Sequence, residues 1–96
     1  MLRIKSFACK ETLRVYNQLF SHRLPASIQK IALRKLIMMD NSVSLDDLRS
    51  PPSNHLEQLR GDREGQWSIR INDQYRICFR IIDGYYYDVE IVDYHK

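Results

Sequence analysis

Residues 66–95 constrain the fold more than any other part of the chain, because they alternate apolar and polar side chains in three successive runs. Trp67, Ile69 and Ile71 alternate with Ser68 and Arg70. Tyr75, Ile77, Phe79 and Ile81 alternate with Gln74, Arg76, Cys78 and Arg80. Tyr85, Tyr87, Val89 and Ile91 alternate with Tyr86, Asp88, Glu90 and Val92. A period of two sustained over this length predicts half-buried antiparallel strands.

Keeping each apolar set on one face requires odd-length turns, since a slip of one residue exchanges the faces. Three-residue loops at Asn72-Asp73-Gln74 and Ile82-Asp83-Gly84 meet this condition, with Gly84 in the left-handed position. Ile71 then pairs with Tyr75 and Ile81 with Tyr85. On the other face Arg70 lies opposite Arg76, Arg76 opposite Glu90, and Arg80 opposite Tyr86. Like charges facing each other on a sheet are destabilising. Glu90 neutralises one arginine and leaves the others. Such a face either awaits an anion or splays its guanidinium groups into water, and the register alone does not choose between the two.

A chain of 96 residues is expected to form one domain spanning residues 1–96. It buries roughly 60–65% of its unfolded surface, enough for one modest core. Net charge is +3, unevenly spread. Residues 1–40 carry eight Lys or Arg against two acids, whereas residues 60–96 carry six against seven. The basic half favours a polyanionic partner without specifying one. Cys9 and Cys78 lack metal-ligand spacing and read as reduced thiols of a cytoplasmic protein. No apolar run has signal-peptide or membrane-spanning length, so no membrane role is expected.

Residues 2–7 alternate weakly and predict a short edge strand. A helix is expected over residues 10–20, with Leu13, Tyr16 and Phe20 on one face and Leu19 beside them. Pro25 suits the first turn of a second helix running to about Asp40. Its apolar stripe is Ile28, Ile31, Ala32, Leu36 and Met39, and its wet side is Lys30, Arg34 and Lys35. Ser44 is placed to cap one further turn to Leu48. Residues 54–65 read as a long polar loop before the sheet, either functional or a cover for one end of the core with Leu56 and Leu59 tucked under. Helices followed by a meander give an α+β fold, two N-terminal helices packed on a small twisted antiparallel sheet.

Several stretches together resemble a known family. They are Leu48-Arg49-Ser50-Pro51-Pro52-Ser53-Asn54, Leu56-Glu57 and Leu59-Arg60-Gly61-Asp62, followed by Trp67-Ser68-Ile69-Arg70 with Tyr75-Arg76-Ile77, and Asp93-Tyr94-His95. The chain resembles the HigB toxins of bacterial type II toxin–antitoxin systems, within the RelE/ParE superfamily, over essentially its whole length. The resemblance implies a RelE-like fold and an endoribonuclease that needs no cofactor or metal and cuts mRNA on the ribosome. It also implies neutralisation by a HigA-type helix-turn-helix antitoxin, through which operator DNA is contacted indirectly. By the same resemblance Arg76 matches the strand arginine critical for cleavage, and Asp93, Tyr94 and His95 match the family's C-terminal triplet. HigB members commonly carry lysine at the position of Arg60, and some carry histidine at that of Glu57. Arg70 and Arg80 are carried over as RNA- or phosphate-binding residues.

These residue types suit the chemistry. Cleaving RNA requires removing the 2′-hydroxyl proton, stabilising a phosphorane-like transition state and protonating the departing 5′-oxygen. Arg60 and Arg76 suit the charge, since a guanidinium binds phosphate bidentately and does not readily give up a proton. His95, with an ordinary pKa of about 6.5, suits proton transfer, with Asp93 to orient it or act as base. Tyr94 is placed to stack on a base or bind the phosphate. The bland alternatives are a solvated tail for His95, packing for Tyr94 and an Arg76–Glu90 ion pair. ParE-like relatives share the fold and inhibit DNA gyrase without cutting, and fold does not fix function. A weakly active toxin serving mainly as operon corepressor is the third reading.

Overall fold

The computed structural model describes residues 2–94. Among them the elements run α1 (Lys10–Tyr16), α2 (Ala26–Asp40), β1 (Glu57–Gln58), β2 (Trp67–Arg70), β3 (Tyr75–Ile82) and β4 (Tyr85–Asp93). Short 3-10 turns at Leu45–Arg49, Pro52–Asn54 and Gly61–Arg63 link them. The four strands form one antiparallel sheet in chain order. Residues 2–7 lie parallel to β4 at its free edge, through bridges Ile4–Tyr86 and Phe7–Val89. The arrangement is α+β, as the residue pattern predicts.

Both helices bury their apolar sides against one face of the sheet. Val15, Ile28, Ala32, Leu36 and Met39 meet Ile69, Ile77, Phe79, Tyr86, Val89 and Ile91 there. The helix α2 keeps its expected stripe, but Lys35 is only half exposed rather than wet. The helix α1 is shorter than expected and ends at Tyr16, with Asn17 as its C-cap. Its buried residues are Thr12 and Val15, while Leu13, Leu19 and Phe20 are exposed. Gln18, with φ 64, breaks the helical path before Leu19 and Phe20 join it.

Asp40 ties the N-terminal segment to the core. Its carboxylate is buried and accepts the amides of Arg3 at 3.1 Å and Ile4 at 2.9 Å, together with the Tyr16 hydroxyl.

The first hairpin has the expected loop. Ile71 N–H donates to the Tyr75 carbonyl at 2.9 Å, and Asn72 Oδ1 accepts the amides of Gln74 and Tyr75. The second differs. Ile82 pairs with Tyr85 across the two residues Asp83 and Gly84, at φ 52 and 84. Positive φ at both positions is the tight turn that Asp-Gly favours. A two-residue loop alone would invert the faces of β4. One extra residue in β4 reverses the inversion: the register shifts between Cys78–Glu90 and Arg80–Tyr87, with Asp88 at φ 54. The expected pairings of Ile81 with Tyr85, Arg76 with Glu90 and Arg80 with Tyr86 are therefore replaced. Ile81 pairs with Tyr86, Arg76 with Val92 and Arg80 with Tyr87. Before the bulge Tyr86, not Tyr85 or Tyr87, enters the core, edge-on to Phe79.

Candidate active site

The strand β3 delivers Arg76 to the sheet face turned away from the helices, directly opposite Arg70. The Arg76 side chain is held on several sides and only 11% exposed. Nε donates to Ser68 Oγ at 2.7 Å, and Nη2 donates to the carbonyls of His55 and, at 3.4 Å, Ser68. Its ion partner is Glu57, with Oε1 3.4 Å from Nη2. Glu90, the partner expected from the alternation, instead lies 3.4 Å from Arg63 Nη1. Glu57 arrives on β1, which pairs it with Ser68 beside Arg76.

Tyr94 sits on the same face, its ring centroid 5.9 Å from Arg76 Cζ. Its amide donates to the Gln74 carbonyl at 2.6 Å, which extends the strand order past Asp93. Strand alternation turns Asp93 the other way. Its carboxylate accepts from Gln74 Nε2 at 3.1 Å. His95 lies outside the described residues.

Arg60 stands apart from this group. Leu59, before it, donates to the Gln66 carbonyl, at the end of the β1–β2 ladder away from Arg76. Arg60 is exposed and three residues beyond Glu57, about 10 Å along an extended chain. Among the described residues no hydrogen bond or ion pair holds it.

Every other arginine on this face has its own carboxylate. Arg70 pairs with Asp73, and Arg80 Nε lies 3.6 Å from Asp88 in the bulge. Cys78 lies buried beneath this face. Burial pushes its thiol pKa up; Arg63 and Arg76 pull it back and Glu90 adds to the rise. A thiol so placed stays protonated and is no nucleophile. Among the described residues no cluster of three His, Cys, Asp or Glu side chains is placed to hold a metal ion.

The structure thus brings Arg76, Tyr94 and Arg70 to one face, and Arg80 with them further along β3. Glu57, Ser68 and Arg63 join that face without having been predicted. The two-residue strand β1 is too short to show a period, so nothing in its pattern signals that Glu57 points at Arg76.

Comparison with known proteins bears on the family and the fold. A family model described as the RelE-like toxin of type II toxin–antitoxin system HigB matches residues 5–95. "Toxin HigB-1" of Vibrio cholerae is 47% identical over 64 residues, which cover 66% of this chain and 67% of that one. "Endoribonuclease HigB" of Proteus vulgaris is 32% identical over 92 residues, covering 96% of this chain and 99% of its own. Among solved structures, the YoeB–YefM complex from Staphylococcus aureus superposes with a TM-score of 0.55 at 16% identity. The match covers all of this chain and 99% of that one, a likeness of fold. The chain belongs to the RelE-like HigB toxins of type II toxin–antitoxin systems.

Proposed function

We propose that this toxin is an endoribonuclease that cuts mRNA on the ribosome without a metal, with Arg76 at its centre. As a member of a toxin–antitoxin family it has an antitoxin partner, and we take that partner to be of the HigA helix-turn-helix type, contacting operator DNA on the toxin's behalf. The site of action is then the cytoplasm. Among the described residues no helix is long and apolar enough to cross a membrane.

The observation that carries this reading is the fixed Arg76 guanidinium, immobilised by Ser68 and the His55 carbonyl, with a carboxylate on one side and the Tyr94 ring on the other. A cation held before the reaction starts needs no reorganisation to meet charge developing on phosphorus. Glu57 is the carboxylate nearest that charge. In the proposed step it accepts the 2′-hydroxyl proton as the 2′-oxygen forms its bond to phosphorus. The bond to the 5′-oxygen breaks, and His95 protonates that oxygen. The products are a 2′,3′-cyclic phosphate and a 5′-hydroxyl. Tyr94 stacks on the nucleotide and sets its position. Asp93 acts with His95 at the chain end. Arg60, exposed and unpartnered among the described residues, and Arg70 and Arg80, each in a surface ion pair, bind flanking phosphates.

The test compares wild type, Arg76→Ala and a chain ending at Val92 on one defined message, with and without ribosomes. Cuts are expected with ribosomes and wild-type protein, and not with either variant. Cuts that persist unchanged in both variants overturn the site. Growth arrest with intact message and broken DNA overturns the reaction and favours gyrase as target.

A further inference from the structure

We propose that Arg34, Lys35 and Arg70 form a second phosphate site, which takes an RNA phosphodiester away from the scissile bond. This rests on the reading of the protein as an RNA-cleaving enzyme. A cleft of about 310 Å³ opens between α2 and the end of β2. Ile31 and Met38 line it together with Ser53 and the three cationic side chains.

Two of the three charges in the cleft have no carboxylate partner among the described residues, and the third has only an exposed one. Arg70 is paired with Asp73, whose side chain is 98% exposed, and an exposed partner is weakly held. Lys35 Nζ donates to the neutral Asn54 side chain. Among the described residues neither Arg34 nor Lys35 has a carboxylate partner, and no acidic side chain lines the cleft. Burial, then the positive fields of Arg34 and Arg70, push the Lys35 pKa down. An anion between these side chains meets three cations and no acidic lining residue, and its charge favours the Lys35 ammonium.

Location assigns the anion. Arg70 stands directly opposite Arg76 in the β2–β3 ladder, so the two side chains leave neighbouring points of one face. Arg70 lines the cleft at the same time. A single RNA strand gripped at Arg76 reaches the cleft by following Arg70, and Ser53 adds a hydroxyl for the phosphate oxygens. An ammonium and two guanidinium groups with no base-sized aromatic wall suit the backbone and carry no sequence preference.

The test uses non-cleavable 2′-O-methyl RNA strands of increasing length, with binding read by fluorescence anisotropy across a salt series. The variants are Arg34→Ala, Arg34→Glu and Lys35→Ala, with folding checked by circular dichroism. Arg34 is exposed, so its variants keep the test valid if Lys35→Ala unfolds. The deficit relative to wild type is expected to grow with strand length to about three- to tenfold, and to be larger for Arg34→Glu. The log–log salt slope falls by about 0.7 for each phosphate that the variant no longer neutralises. The same variants on empty and message-programmed ribosomes identify the strand: a deficit only with message assigns the phosphate to mRNA, and a deficit with both assigns it to ribosomal RNA. Unchanged affinity and slope at every length overturn the proposal. Weakened antitoxin binding with unchanged RNA binding also overturns it, and gives the cleft to an acidic antitoxin segment. Wild-type protein that binds RNA neither free nor on ribosomes overturns the enzyme reading itself.

Discussion

The Glu57 carboxylate lies 3.4 Å from the Arg76 guanidinium, although the two residues are on strands separated by β2. The contact passes over Ser68, the shortest side chain in that row, which also binds Arg76 Nε. A proton acceptor thus stands beside a cation that is already fixed.

Glu57→Gln removes the acceptor and keeps the shape. Message cleavage by this variant is expected to fall about 10²- to 10⁴-fold, the usual contribution of a general base. Glu57→His, a residue some HigB members carry at this position, is expected to recover much of the rate. Its activity rises with pH through the imidazole range, near 6.5. Glu57 is 53% exposed, so neither change alters the thermal midpoint much. Single-turnover rates on programmed ribosomes check this, and full activity in Glu57→Gln removes the role.

Arg76→Lys keeps the charge and loses the fork. Arg76 uses Nε for Ser68 and Nη2 for the His55 carbonyl, and an ammonium on a flexible stem satisfies one of these at a time. The rate is expected to drop about 10²- to 10³-fold, close to the loss in Arg76→Ala. A lysine variant of near wild-type rate shows that charge alone suffices there.

The strands, the second helix and the Arg70–Arg76 pair are legible in the sequence because each depends on a local period or a short turn. The bulge at Asp88 is not. Asp83-Gly84 forms a two-residue turn, and the alternating pattern has no mark for the extra residue that then restores the faces. Tyr85, Tyr86 and Tyr87 are interchangeable in hydropathy, so the sequence does not say which one is core. Glu57 escapes the pattern because its strand has two residues and owes its place to Asn54 and the neighbouring ladder. Resemblance to the family brings Arg60 into the site, whereas its position at the far end of β1 depends on a turn with no periodic signal. The short helix α1 reflects the opposite error: Leu19 and Phe20 have helical spacing, yet the chain has already turned at Gln18.

Asn54→Ala tests how the site is supported. Asn54 is fully buried, donates Nδ2 to the Leu48 carbonyl at 3.1 Å and the Ser50 carbonyl at 3.3 Å, and accepts from Lys35. It fixes the turn that supplies the His55 carbonyl and leads into Glu57. Its loss leaves buried carbonyls unsatisfied, at about 2–3 kcal/mol. Urea denaturation is expected to show that loss, with activity falling further than stability alone explains. A stable variant with normal cleavage shows that the turn holds itself.

Tyr16 gives the fold a dependence on high pH. Burial first, then the hydrogen bond and negative charge of Asp40, raise its pKa from 10.0 to about 12. The folded state therefore holds the neutral phenol, while the unfolded chain begins to ionise at pH 10. Between these values the unfolded state binds fewer protons, so stability must fall as pH rises. The contribution is complete below pH 10 and is lost on the way to about 12. Tyr16→Phe is expected to be less stable near neutral pH, by about 1 kcal/mol for the lost hydrogen bond. Its urea midpoint then declines less steeply than that of wild type across the alkaline window. The slope does not vanish, because burial raises the pKa of Tyr86 as well. Parallel alkaline declines in the two proteins show that Tyr16 ionises as freely in the folded chain as in the unfolded one.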